Sequence, residues 1–133
     1  MKEVTNSKPI DFWTLLSMTQ EHITREYAAV LTDKERLPQL RAYIEQFVRD
    51  GDFQIEGMSA DELTERLYRE MAEYSVLTPY LGAEELEEIN VNSWDDIALT
   101  RTDGSIVKAA EHFHSPQHAE DIVKRLLQRY DSG

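Results

Sequence analysis

Ile89-Asn90-Val91-Asn92, Ser93-Trp94-Asp95-Asp96, Ile97-Ala98-Leu99-Thr100, Thr102-Asp103-Gly104-Ser105 and Ile106-Val107-Lys108 together decide the fold. The first run alternates apolar and polar residues, as a half-buried strand requires, because successive side chains leave a strand on opposite faces. A polar turn follows, then a second short run. An Asp-Gly pair of the kind that closes a hairpin comes next, and then a third run. The spacing predicts a small β-meander. Downstream, Ser115-Pro116 reads as a helix N-cap followed by proline at the first helical position, where a missing N–H costs nothing. The helix it starts carries Ala119, Ile122, Val123, Leu126, Leu127 and Tyr130.

Upstream of the meander the apolar period changes from two to about 3.6. Phe12, Leu15, Leu16, Thr19, Ile23, Tyr27, Val30 and Leu31 recur at helical spacing from Asp11 onward. Thr32-Asp33-Lys34-Glu35 reads as a capping box opening a second helix, with Leu37, Leu40, Ile44, Phe47 and Val48 on one face. Pro38 falls in or near its first turns and Gly51 ends it. Ser59-Ala60-Asp61-Glu62 is a second capping box, opening a third helix with Leu63, Leu67, Met71 and Tyr74. Helices this short are marginal alone, so the three stripes are expected to pack as an antiparallel bundle. Leu77-Thr78-Pro79-Tyr80-Leu81-Gly82 reads as a turn-rich linker with apolar anchors, and Glu84 to Glu88 as one helical turn.

The expected fold class is α+β: an N-terminal three-helix bundle followed by a small β-meander with a C-terminal helix. The expected organisation is a disordered tail over 1–10, the bundle over 11–75 and a partial α/β domain over 76–133. Three short strands and one helix bury little apolar area. The sequence also stops in a loop-like Asp131-Ser132-Gly133. Both features lead to the expectation that the chain is a piece of a longer one.

Charge narrows the function classes. Lys and Arg total 14 against 26 Asp and Glu, a net charge of −12. Affinity for phosphate backbones comes mostly from Lys and Arg, so nucleic acid and anionic membrane surfaces are poor partners. The excess is uneven: residues 56–96 carry a balance of −10, while 1–55 carry −2 and 97–133 carry 0. Glu84, Glu85, Glu87 and Glu88 are the focus of that middle third and, with Trp94 in the following turn, the candidate docking surface for a basic partner. The ordinary role of such a run is a solvated face. No signal-peptide core is visible at the N-terminus, and no apolar run approaches the ~20 residues of a membrane span.

Catalytic motifs are absent from the sequence. There is no cysteine, hence no disulfide, thiolate or Cys nucleophile. No G-x-S-x-G elbow, G-x-x-x-x-G-K-[ST] phosphate loop or calcium loop occurs. Carboxylate pairs such as Glu84/Glu88 and Glu62/Glu65 lie on exposed stretches that give no reason for their pKa values to separate. His112, His114 and His118 are the best metal candidates, since the first two would share a strand face and the third would follow one helical turn later. Ser115-Pro116 interrupts that geometry, and no metal site is expected.

Leu77-Thr78-Pro79-Tyr80-Leu81, Glu88-Ile89-Asn90-Val91-Asn92, Asp96-Ile97, Asp103-Gly104, Phe113 and the Ile122/Val123/Leu126 helix fall in a familiar order. Over roughly residues 64–130 this resembles the N-terminal region of the type II/type IV secretion ATPases, in particular the CpaF/TadA-type ATPases of Flp pilus systems. Ser93 stands where that family has glycine, and Val76-Leu77-Thr78 is shifted around Pro79 relative to its G-P-L. The resemblance implies a cytoplasmic hexamer, peripheral to the inner face of the membrane through its partners, that powers pilus assembly or secretion. It implies no cofactor in this chain and Mg-ATP in a full-length parent, whose Walker A loop would lie downstream in a RecA-like motor domain. The implied partners are that motor domain, further copies in the hexamer and a membrane-platform protein. The turn Arg101-Thr102-Asp103 would approach the adenine side of the nucleotide. The rival reading is a free-standing acidic interaction adaptor.

Overall fold

The computed structural model describes residues 10–131, and the chain divides after Glu73 into two units. The expected tail falls outside the described residues except at Ile10, which is partly buried against the helical core.

The first unit holds α1 (Phe12–Tyr27), the single turn α2 (Ala29–Thr32), α3 (Leu37–Asp50) and α4 (Ala60–Ala72). Two of the long helices, α1 and α4, begin where a side chain takes up orphan N–H groups. The Asp11 carboxylate accepts from Trp13 and Thr14 N–H at 3.1 and 3.2 Å. At α4 the capping box is complete: Glu62 N–H donates to Ser59 Oγ at 3.1 Å, and Ser59 N–H donates to Glu62 Oε1 at 3.0 Å. The α1, α3 and α4 stripes pack on one another. Leu15, Ile23, Leu40, Ile44, Leu63 and Leu67 are almost fully buried between them.

Two expectations for this unit need correction. The box proposed at Thr32 does not form. Thr32 ends α2, Asp33 Oδ1 accepts from Glu35 N–H at 3.0 Å, and Lys34–Arg36 form a 3₁₀ turn before α3. Pro38 explains the delay. A helix begun at Asp33 would place its ring against the carbonyl four residues earlier, whereas in the first turn of α3 no hydrogen bond is lost. Tyr74 is not part of the α4 stripe, because the helix ends at Ala72 and the ring packs in the second unit.

The end of α3 uses Gly51 differently from a left-handed cap. Gly51 stays right-handed at φ −86°, and Asp52 takes the left-handed position at φ 51°. Phe53 N–H reaches Val48 O and Asp52 N–H reaches Arg49 O, both at 3.1 Å, completing a Schellman motif. Phe53 closes it by packing on Phe47, ring centroids 5.3 Å apart. Gly51 is required for space: a Cβ there would lie 2.2 Å from the Phe53 ring.

The second unit runs from Tyr74. Ser75–Tyr80 form a 3₁₀ segment, with Thr78 Oγ1 accepting from Tyr74 N–H at 2.9 Å. Of the expected linker Leu77–Gly82, the apolar anchors do pack: Leu77 is buried beside Val76, with Tyr80 and Leu81 against the same core. Then come β1 (Leu86–Ser93), β2 (Asp96–Arg101) and β3 (Ile106–Lys108), an antiparallel sheet in that order, and α5 (Pro116–Asp131). The expected helical turn at Glu84–Glu88 does not form: β1 begins at Leu86, which pairs with Arg101 and packs on the core.

The pleat sorts the side chains. Ile89 lies opposite Leu99, Val91 opposite Ile97, and Leu99 opposite Val107, all on the core face. Glu88, Asn90, Ala98, Thr100, Ile106 and Lys108 occupy the alternate positions. Phe113, Ala119 and Ile122 complete the buried cluster. Leu127 does not join it and is 55% exposed; the Tyr130 side chain lies outside the described residues. The architecture is α+β.

Candidate functional site

Glu84, Glu85, Glu87 and Glu88 are all exposed at the start of β1. Glu84 and Glu85 sit in the preceding turn, and Glu85 O accepts from Thr102 N–H at 3.0 Å. That bond ties the acidic segment to the β2–β3 turn. None of the four carboxylates forms an ion pair with another described residue. A register shift between Leu86 and Glu88 interrupts the ladder at Glu87. Charge and a bulge on an edge strand both discourage pairing with a further strand, so this edge offers electrostatic attraction rather than a ladder.

Arg101, Thr102 and Asp103 form the exposed β2–β3 turn beside those acids. Gly104, at φ 89°, supplies the left-handed residue the hairpin needs. Arg101 N–H donates to Ser105 O at 2.8 Å and Gly104 N–H to Arg101 O at 2.9 Å. Asp103 Oδ1 accepts from Ser105 Oγ at 2.6 Å and from Ser105 N–H at 2.9 Å. The Ser105 hydroxyl, then its N–H, and more weakly the Arg101 charge hold the Asp103 carboxyl below its usual range. Asp103 is thus engaged in the turn, leaving Arg101 and Thr102 side chains as its outward groups.

Trp94 folds back. It is half-buried against the second core, its indole edge-on to the His112 ring at 5.4 Å, and its carbonyl accepts from Phe113 N–H at 2.9 Å. The three histidines do not converge. His112 Nδ1 lies 2.7 Å from Phe113 O, a contact in which the ring nitrogen donates. His118 Nδ1 accepts from His114 N–H at 2.9 Å. His118 also occupies the third position of α5, where its own N–H donates to the Ser115 N-cap at 3.1 Å. The imidazole therefore reaches back over the helix start as a capping-box glutamate does. Among the described residues no group of three or more His, Asp or Glu is placed to hold a metal ion, and no helix is long and apolar enough to cross a membrane.

A feature not singled out in the sequence lies on the helical unit. His22, Tyr27, Tyr43, Gln46, Phe47, Asp50, Gly51 and Phe53 line a cavity of about 310 Å³. Tyr27 and Tyr43 stack at 3.8 Å with planes 4° apart, and His22 stacks on Phe47 at 4.6 Å. Tyr43 and Phe47 are four apart on α3 and so share a face. That spacing was the available signal, but Tyr27 and Phe47 read equally well as core. A larger cavity, about 470 Å³, lies between α3 and α4. Its Arg41 is already committed to Glu65 at 2.7 Å and to the face of Tyr68 at 4.5 Å.

No protein-family model matches the chain, and no curated protein matches it.

Proposed function

We propose that the chain is the non-catalytic N-terminal region of a pilus-assembly or secretion ATPase. It serves hexamer assembly, movement against the motor domain and docking to the membrane platform. One observation supports this reading best. The apolar residues that carry the resemblance form a single hydrophobic cluster: Leu77, Ile97, Phe113 and Ile122 are buried in it, with Ile89, Val91 and Leu126 packed against it. A scattered motif that condenses into one core behaves as the signature of a fold. The polar remainder, Glu84, Glu85, Glu87 and Glu88 with the Arg101–Asp103 turn, is left at one end of the sheet for partners.

By itself such a region turns over no ATP. Phosphoryl transfer depends on a phosphate loop and magnesium for positioning and charge stabilisation, and the sequence contains no such loop. In the parent, Mg-ATP belongs to the downstream motor domain, and the setting is the cytoplasmic face of the membrane. Four unpaired carboxylates on a chain of charge −12 suit a platform protein with basic cytoplasmic helices, since complementary charge raises the encounter rate and selects the partner.

The test is charge reversal in the full-length parent, with Glu84, Glu85, Glu87 and Glu88 all changed to Lys. Hexamer formation and ATP turnover are expected to persist. Platform binding is expected to fall about tenfold or more and to lose its salt dependence, as for removal of steering charges. Unchanged binding with unchanged salt dependence overturns docking through this surface.

A further inference from the structure

We infer that the aromatic cavity of the helical unit receives a guanidinium group, the arginine side chain of a basic protein partner. It lies in a different unit from the acidic edge and does not depend on the ATPase reading.

Three observations converge on that ligand. The wall is built of rings: Tyr27, Tyr43, Phe47 and Phe53, with His22 stacked on Phe47. Aromatic faces attract cations through their quadrupole. Among the lining residues the charge is one-signed, because Asp50 supplies a carboxylate and no Lys or Arg is present. The Tyr27 and Tyr43 hydroxyls, the Gln46 amide and the Asp50 carboxylate make no hydrogen bond or ion pair with another described residue, and Gln46 and Asp50 are exposed, so these acceptors are free at the cavity's rim. A small apolar site with a few convergent polar groups is the usual build of a binding pocket.

Shape separates guanidinium from ammonium. Tyr27 and Tyr43 stack on each other at 3.8 Å with planes 4° apart, so each covers one face of the other and a ligand can stack only on an outer, flat face of the pair. A planar, weakly hydrated guanidinium stacks on such a face while its edge donates to a carboxylate; a compact, strongly hydrated ammonium gains less. The same unit already uses this chemistry internally, with Arg41 over Tyr68 at 4.5 Å and Arg66 over Phe12 at 4.7 Å. A volume of about 310 Å³ suits one side chain, and the helical unit, residues 1–73, carries 9 basic against 15 acidic groups, a balance of −6 that favours a basic protein as its source.

The experiment is an NMR titration of the intact chain, following the aromatic signals of His22, Tyr27, Tyr43, Phe47 and Phe53. The probes are N-acetyl-arginine methylamide, the lysine and citrulline counterparts, free arginine and tetramethylammonium. The capped arginine is expected to saturate with a dissociation constant on the order of millimolar. Lysine and citrulline probes are expected to bind at least about threefold more weakly. Asp50→Asn is expected to weaken the capped arginine roughly threefold to tenfold, and Tyr43→Leu comparably, with the backbone amide spectrum otherwise retained. Equal shifts from arginine and lysine would reduce the effect to diffuse attraction and overturn the assignment. Tighter binding of tetramethylammonium would make the site a quaternary-ammonium cage, and tighter binding of free arginine would make it a metabolite site. Either outcome also overturns the proposal.

Discussion

The helical unit and the sheet unit solve the same burial problem with different means. The helical unit is built from local signals. Asp11 and Ser59 open its helices, a Schellman turn closes α3, and three stripes four residues apart fill its core. The sheet unit rests on pairings between strands and on one helix. Its buried cluster is smaller, and it leaves Ile106 68% exposed on the outer sheet face. In the helical unit the unusual feature is a cavity, and in the sheet unit it is an acidic edge with no ion pair to another described residue.

That contrast is broken most forcefully by emptying one core. Phe113 is fully buried in the sheet unit, so Phe113→Ala should cost about 3–5 kcal/mol. Hydrogen exchange should then lose protection in β1, β2, β3 and α5 while α1, α3 and α4 keep theirs. The reciprocal change is Leu67→Ala, expected to cost about 2–5 kcal/mol and to expose the helical amides instead. If either substitution opens both units alike, the two cores act as one cooperative body and the comparison fails.

Much of this contrast is legible in the sequence, and the misses have physical causes. The Ser59–Glu62 box and the Asp-Gly hairpin are short-range chemistry, readable from four residues. The strand at Leu86–Glu88 was hidden because four glutamates suggest helix, whereas pairing with β2 decides otherwise. Thr32 mimicked a cap because the constraint from Pro38 acts several residues later. Gly51 looked like a left-handed cap, yet its role is set by the Phe53 ring, which no local pattern announces. For the candidate site, the acids and the Arg101–Asp103 turn were visible as charge and turn. The cavity was not, because stacking of Tyr27 on Tyr43 joins two helices.

Smaller changes sharpen the local side of the comparison. Ser59→Ala removes the α4 cap and should cost about 0.5–2 kcal/mol in thermal or denaturant unfolding. The same box gives an acid signature. The Ser59 N–H, then its hydroxyl, hold the Glu62 carboxyl below its usual range. A carboxyl whose folded pKa is depressed contributes stability above its unfolded pKa and loses it as pH falls through the folded value. Glu62→Gln, which removes the titrating carboxyl itself, should therefore flatten the acid limb of the stability curve within the carboxylate range, and an unaltered limb would remove Glu62 from that account. Asp52→Gly should be the mildest change, raising stability by up to about 1 kcal/mol because glycine takes the left-handed cap position without strain.

The functional claim is tested most directly by reading the gene past codon 133. The account predicts an uninterrupted frame that encodes G-x-x-x-x-G-K-[ST] within a following motor domain, so that this chain is the docking end of an ATPase. A stop codon directly after Gly133 contradicts it and leaves an acidic adaptor that acts alone.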